Sequence, residues 1–506
     1  DFDNDGDQDL VVSTGVPNNV QFLVNMGDGF HNRAIEYGFV NDADQGGRMP
    51  VFFDYNRDGL LDTTLLTLYG APLFTQQTSG MFAFGRKNTG YVCNNNQFAV
   101  LIDLNGDGVL DLVCVKAGVP FAQAWSMATK PFTNLTSRLP ATPNVNDVIV
   151  GDFDNNLRND MLLLSGALRP SQVLGFNGNR IEAQWINKDR AMTFKSSGVL
   201  TVNIDWSKTL YQESPTASTA AIFIGRGGRH PSLLNFTLDP KDTSTHGLRP
   251  RNTAATNGEI YIGYEPATQT WTFQQYWNGK YVYNYIEIQS TAPITALVPT
   301  GIVAFDGPHY PVLLMNQDKG MVDQTAAGNL KTAKINCVSG AAADFDNDMD
   351  MDIYLVCRNG VENIPNILLM NNGKGVFTPV ANAGGAAGPI GVAVAQGVGA
   401  GESVATADYD LDGRVDLFVT NGMNRRPLVR SAGPYQLFKN TSPKRNWIEL
   451  DLVGTRSNRD ANGARVYATT GAGTTVSVTQ YREQNEGYHR WSQNHRRIHF
   501  GLANNT

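Results

Sequence analysis

Charge is scarce in this chain: Asp, Glu, Lys and Arg make up 17% of 506 residues. The sequence holds no basic run of the kind that binds nucleic acid. It has no stretch of 18 apolar residues that would cross a membrane as a helix. GxSxG, HExxH and phosphate-binding loops are absent, so no catalytic constellation is recognised and a non-enzymatic role is expected. Cysteine is limited to Cys93, Cys114, Cys337 and Cys357. Glycine, by contrast, numbers 51, and aromatic residues make up 10%, as turn-rich β structure requires. The length exceeds one ordinary domain and suits one large repeat domain with additions.

The acidic residues are not spread evenly. The chain opens DFDNDGDQDL, five carboxylates in nine residues followed at once by an apolar, β-prone run. The pattern returns as DYNRDGLLD from Asp54, DLNGDGVLD from Asp103, DFDNNLRND from Asp152, DFDNDMDMD from Asp344 and DYDLDGRVD from Asp408. Carboxylates this close repel one another unless a cation sits among them. Oxygen donors at positions 1, 3, 5 and 9 suit Ca²⁺, which takes about six to eight hard oxygen ligands. The expected ligands are Asp1, Asp3, Asp5 and Asp9; Asp54, Asn56, Asp58 and Asp62; Asp103, Asn105, Asp107 and Asp111; Asp152, Asp154, Asn156 and Asp160; Asp344, Asp346, Asp348 and Asp352; and Asp408, Asp410, Asp412 and Asp416. Position 7 varies (Asp7, Leu60, Val109, Arg158, Asp350, Arg414), which fits a backbone carbonyl ligand. Gly at position 6 permits the sharp turn. Leu157 and Met349 replace it, so those two of the six calcium loops are expected to bind less well, the Asp152 loop least.

An EF-hand is excluded, because position 12 is never acidic (Val12, Leu65, Cys114, Leu163, Leu355, Val419) and the EF-hand loop ends on a bidentate Glu between helices. The flanks, such as MPVFFDY and FAVLIDL before the loops and LVCVK and IYLVC after them, read as short strands. The first loop intervals are 53, 49 and 49 residues, a period that suggests β-propeller blades. A second element recurs as FLVNMGDGF at Phe22, LLMNQDKGM at Leu313, LLMNNGKGVF at Leu368 and LFKN at Leu437. The copy at Leu313 implies a seventh blade whose loop is reduced to Asp306. The expected fold is all-β: a seven-bladed propeller over 1–185 and 293–440, an inserted β-sandwich-like domain over 186–292, and a small β domain over 441–506.

The loops and the N-x-G-x-G-x-F element resemble the FG-GAP/VCBS repeats of integrin α-subunit propellers. The stretches NWIELDLVGTRSNRDANGARV from Asn446 and SQNHRRIHFGL from Ser492 resemble the ASPIC/UnbV domain. Together they are similar to the cartilage acidic protein family and its bacterial and algal relatives, over residues 1–185 and about 293–506. The resemblance implies a secreted or cell-surface calcium-binding propeller and no reaction. The chain starts inside a calcium loop, so it is expected to be a segment of a longer protein.

Cys337 and Cys357 straddle the Asp344 loop almost symmetrically, and a hairpin would bring them together. Cys93 and Cys114 straddle the Asp103 loop less evenly. Disulfides are the expectation in the implied extracellular setting, with buried thiols the alternative. N-glycosylation triplets occur at Asn134, Asn235, Asn440 and Asn504. In the insertion, Tyr281, Tyr283 and Tyr285 alternate onto one strand face, suited to stacking on sugars or, more commonly, to packing on a second sheet. Near the C-terminus, Arg482, Arg490, Trp491, Arg496 and Arg497 read as an exposed basic-aromatic patch, and His495 and His499 as a solvated strand rather than a metal site. The leading function is a calcium-rigidified adhesion or matrix scaffold, whose partner is a surface protein, a glycan or a sister subunit. The rival is a lyase-like polysaccharide-active enzyme or a carbohydrate-binding protein on the same propeller.

Overall fold

The computed structural model describes residues 1–3, 5–13, 20–38, 47–67, 71–85, 93, 96–116, 121–141, 145–165, 172–186, 188–207, 221–254, 258–277, 283–304, 309–331, 336–359, 362–392, 399–423, 431–471, 477–484 and 487–505. Among these residues the structure is all-β, the helical content being three short 3₁₀ turns.

Each complete Asp-rich loop closes an antiparallel hairpin in one register. Phe53 pairs with Asp62, Ile102 with Asp111, Gly151 with Asp160, Ala343 with Asp352 and Ala407 with Asp416. The residue before position 1 therefore faces position 9, and the carboxylates crowd into the hairpin tip. The strand Asp111–Lys116 (DLVCVK) is mostly apolar and buried because both faces are covered, whereas DTTLLT after the Asp54 loop and GESVATA before the Asp408 loop mix polar and apolar residues.

These hairpins found the sheets. The first sheet holds Leu10–Ser13, Val20–Asn25 and Phe30–Asn32; the second begins with Gly47–Phe53 and Asp62–Thr67; the third with Asn96–Ile102 and Asp111–Lys116. The fourth joins Val145–Gly151, Asp160–Ser165, Val312–Gln317 and Gly320–Asp323; the fifth begins with Cys337–Ala343 and Asp352–Asn359; the sixth with Gly401–Ala407 and Asp416–Met423. Each sheet buries its face against the next in chain order. Phe22 meets the second sheet's Phe74 layer, Phe98 and Val100 join Met49 and Val51, Ile149 and Leu162 meet Leu355, and Tyr354 meets Val404 and Val419.

The strand at Leu313 does not start a seventh sheet. It pairs with Asp160–Ser165 (Leu162 opposite Leu313) and is the third strand of the fourth sheet. Asp306 lies outside the described residues. Between the two partners run two five-stranded sheets. One contains Gln172–Asn177, Arg180–Ile186, Tyr283–Ser290, Leu200–Ser207 and Asn235–Leu238. The other contains Ile222–Ile224, Glu259–Glu265, Thr270–Tyr276, Arg190–Lys195 and Thr295–Thr300. They enclose a separate core around Trp185, Phe194, Trp271 and Ile288. The anticipated boundaries at 186 and 292 fall beside Arg180–Ile186 and Thr295–Thr300, both members of these sheets. The tyrosine face is not a free platform: Tyr285 is wholly buried, and Tyr281 lies outside the described residues.

Both disulfides are present, Cys93–Cys114 and Cys337–Cys357, and the second pair sits directly opposite across its hairpin. Reducing Cys337–Cys357 is expected to cost about 3 kcal/mol, the chain-entropy value for a loop of roughly 20 residues. A urea midpoint unmoved by reduction would contradict that.

Candidate metal centre

The loop tips share one internal scaffold. The position-1 carboxylate accepts the N–H groups of positions 5 and 6. For Asp54 these come from Asp58 and Gly59 at 3.2 and 3.0 Å, for Asp152 from Asn156 and Leu157 at 3.0 and 3.0 Å, and for Asp344 from Asp348 and Met349 at 3.0 and 2.9 Å. Position 6 is left-handed whether it is Gly59 (φ 89°), Leu157 (φ 68°) or Met349 (φ 87°). The two non-glycine loops thus keep the turn, at the steric cost that a Cβ carries there.

Carboxylate oxygens within 4.8 Å of one another converge at four loops: Asp1, Asp3 and Asp5; Asp152, Asp154 and Asp160; Asp344, Asp346 and Asp348; and Asp408, Asp410 and Asp416. In the other two loops position 3 is an amide, and its N–H bonds position 5 (Asn56 to Asp58 and Asn105 to Asp107, each 2.8 Å). Among the described residues, Asp1 Oδ1 and Asp346 Oδ1 are buried without a hydrogen-bond donor. Burial, reinforced by neighbouring carboxylates, raises Asp62 and Asp160 to about 8, Asp344 to about 7 and Asp352 to about 9. Hard, converging oxygens that resist ionisation on their own fit a divalent cation, which reverses that balance. Ca²⁺ would be held by positions 1, 3 and 5 at the Asp1 and Asp344 loops and by positions 1, 3 and 9 at the Asp152 and Asp408 loops. It supplies charge neutralisation to a fold that otherwise buries like charges.

Position 9 has a further duty. One oxygen accepts the position-2 N–H (Phe153 to Asp160 at 2.9 Å, Phe345 to Asp352 at 3.0 Å). The other accepts an N–H from the third strand or the residues just after it (Asn316 to Asp160 at 2.7 Å, Asn371 to Asp352 at 2.8 Å, Asn440 to Asp416 at 2.7 Å). Those asparagines belong to the N-x-G-x-G-x-F element, whose role the sequence pattern did not reveal. Their side chains reach back to the preceding sheet: Asn371 Nδ2 donates to Phe153 O at 2.8 Å and Asn440 Nδ2 to Phe345 O at 2.7 Å. Gln76 does the same to Phe2 O at 2.7 Å. The Asp1, Asp152 and Asp344 loops are thus each stapled to the following sheet. The Asn440 amide is committed in this way, unlike the exposed Asn134, Asn235 and Asn504. Asp352→Asn is therefore expected to lower the melting midpoint even in chelator, whereas Asp346→Asn is expected to lower it only in calcium. Equal responses to metal would contradict this division.

The C-terminal segment lies over all six loops. Arg459 pairs with Asp1 at 2.8 Å, Arg465 pairs with Asp103, and Arg445 pairs with Asp346 at 3.0 Å. Asn159 donates to Glu483 at 3.0 Å, Gly59 sits against the Arg456 carbonyl, and Trp447 covers Gly413. Arg482 stands among Asp152, Asp344 and Asp350, whose charges oppose the lowering of its pKa by burial. At position 7, the Arg158 side chain pairs with Asp318 and that of Arg414 with Asp412; with Lys439, Arg414 holds Asp412 down at about 2.

The expected exposed basic patch is accordingly corrected. Arg490 is 5% exposed and pairs with Glu402 at 3.2 Å, beside Arg358, and Arg496 and Arg497 pair with Asp460, Glu449 and Asp451. These arginines read as exposed because their carboxylate partners lie far away in sequence. His499 faces Gly413 O at 3.1 Å, and burial lowers it to about 4, so it is no solvated strand residue. His495 precedes that strand.

The hairpin of Tyr488–His489 and Ser492–Gln493 lies against the first strands of four sheets. Phe52 N donates to Tyr488 Oη at 3.3 Å. Asp147 meets His489 Nδ1 at 3.2 Å and accepts from Arg490 N at 2.7 Å. Arg490 Nη1 donates to Val338 O at 2.9 Å, and Ser492 Oγ to Val404 O at 3.0 Å.

Residues 1–63 and 344–419 match the FG-GAP-like repeat, and residues 454–506 match ASPIC and UnbV. No curated protein is matched. Among solved structures, the V. cholerae biofilm matrix protein Bap1 is similar at 11% identity and a TM-score of 0.31, over 86% of this chain and 69% of that one. Residues 1–63 and 344–419 thus carry FG-GAP-like repeats, and residues 454–506 an ASPIC/UnbV domain.

Proposed function

We propose that the six sheets are blades of a calcium-rigidified propeller, closed on its loop face by the ASPIC/UnbV domain, and that the protein serves outside the cytoplasm as a scaffold in adhesion or matrix assembly. The observation that carries this reading is the convergence of carboxylates, at least one of them buried in each set, at four loop tips beneath a single covering segment. The shared contact of four first strands with the hairpin at Tyr488 supports a common axis. Two disulfides support an oxidising compartment, and no helix among the described residues is long and apolar enough to cross a membrane. Partners are a surface protein, a glycan or sister subunits. Calcium titration of the chelated protein, followed by calorimetry, tests the reading. Several equivalents bound with a rise in melting temperature are expected. The absence of any heat of binding overturns it.

A further inference from the structure

The inserted sheets carry a cleft that the metal sites do not explain. The strand Ile222–Ile224 runs into GRGGRHP, and this turn closes on itself through Ile224 N to Arg229 O at 2.8 Å. It is clamped to a neighbouring loop by Arg226 N to His246 O at 3.1 Å, while Gly247 N donates to Tyr264 O at 2.8 Å. The two loops interlock through glycines at positive φ. A side chain at Gly225 would strike Ser244 O, one at Gly228 would strike Arg249, and one at Gly247 would strike Arg226. Only glycine permits both the left-handed backbone and this approach, so the cleft is built in advance of any ligand.

Its walls are cationic and hydroxylic. Arg226 and Arg229 are exposed on one side, with Thr243 and Ser244 on the other, around an open volume of about 660 Å³. Arg229 is aimed by Asp242 Oδ2 at 3.1 Å and Ser244 Oγ at 3.0 Å. Arg249 lies on the Phe223 ring, 4.5 Å from its centroid. Among the described residues Arg226 and Arg249 have no carboxylate partner, and Glu265 is the one acidic residue lining the cleft.

We propose that this cleft binds an anionic polysaccharide, a chain bearing sulfate or carboxylate groups. A guanidinium fork matches both anions in bidentate geometry, and the Thr243 and Ser244 hydroxyls are of the kind that exchange hydrogen bonds with sugar hydroxyls. Exposed single ion pairs contribute little. A repeating anion that engages several cations at once recovers the loss through effective concentration, and an open cleft admits a polymer where it would leave a small anion hydrated. The site stands on the inserted sheets alone and does not depend on the metal reading.

The test titrates the whole protein with dextran sulfate and with polygalacturonate, using neutral dextran, inorganic sulfate and duplex DNA as comparisons. Binding of both charged polysaccharides is expected, with loss at about 1 M salt, where the screening length falls to about 3 Å. Arg226→Ala is expected to weaken binding about tenfold, the scale of one charge-assisted contact. Thr243→Asp, which adds a negative charge on the opposite wall and leaves the arginines in place, is expected to do the same, and both variants should keep the parent's melting midpoint. Unchanged affinity in both variants, equal binding of neutral dextran, full competition by millimolar sulfate, or DNA bound as tightly would each overturn the proposal.

Discussion

Chelation of calcium is expected to lower the melting midpoint by more than any single substitution. A ligand that binds only the folded state stabilises by about 2.7 kcal/mol per site when present at a hundred times its dissociation constant. The loop at Asp344 shows where the effect arises. Asp344, Asp346 and Asp348 converge, the Asp344 carboxyl is raised by burial to about 7, and Arg445 and Gly501 of the covering segment lie directly upon them. Without the cation the hairpin tip must either take up protons or leave like charges facing one another. A differential scan in calcium and in chelator should separate the curves clearly, and superimposed curves would refute a structural role for metal. Limited proteolysis offers a second measure: cleavage within 445–501 should accelerate in chelator, because that segment rests on the loops.

Asp147→Ala is expected to destabilise the protein by about 3–5 kcal/mol, the range for removing one partner from a buried charged network. Asp147 is fully buried and accepts from Val148 N, Ser339 Oγ, Gly340 N and Arg490 N, with His489 Nδ1 at 3.2 Å. Removing the carboxylate strands donors on three separate segments, each with its own desolvation cost. The effect is expected to be independent of calcium, and the hairpin around Tyr488 should become protease-sensitive. A loss below about 1 kcal/mol, the level of ordinary surface substitutions or less, would mean that the hairpin does not depend on this anchor.

The parts of this molecule legible in the sequence are those whose signal is local. The nine-residue Asp pattern specified the hairpin around it, because position 0 and position 9 must face each other in an antiparallel pair. Cys337 and Cys357 were legible for the same reason. The strand at Leu313 was misplaced because its true partner, Asp160–Ser165, lies on the other side of the inserted sheets, and proximity along the chain is the only adjacency a repeat reading uses. The C-terminal arginines were misjudged by a related route. Nothing near Arg490 in sequence shows that Glu402 will meet it, and an arginine lacking a local partner reads as solvated. The double use of position 9, as candidate ligand and as acceptor of an asparagine N–H from its own sheet, was invisible because those asparagines engage it through backbone N–H groups, which every residue type but proline carries.

The inserted sheets leave the fourth sheet from Asp160–Ser165 and return at Val312–Gln317, two strands that are hydrogen-bonded neighbours with Leu163 opposite Val312. To the sheet, more than a hundred residues amount to a single hairpin connection, and loop-closure cost grows only slowly with length, by about 0.6 kcal/mol per doubling. Entry and exit side by side, with a core of its own, make the insertion an exchangeable cassette. Transplanted between Asp62–Thr67 and Leu73–Gln76, which pair in the same antiparallel sense, it would meet an equivalent socket, and a chain built this way can change what it carries without redesigning what holds it.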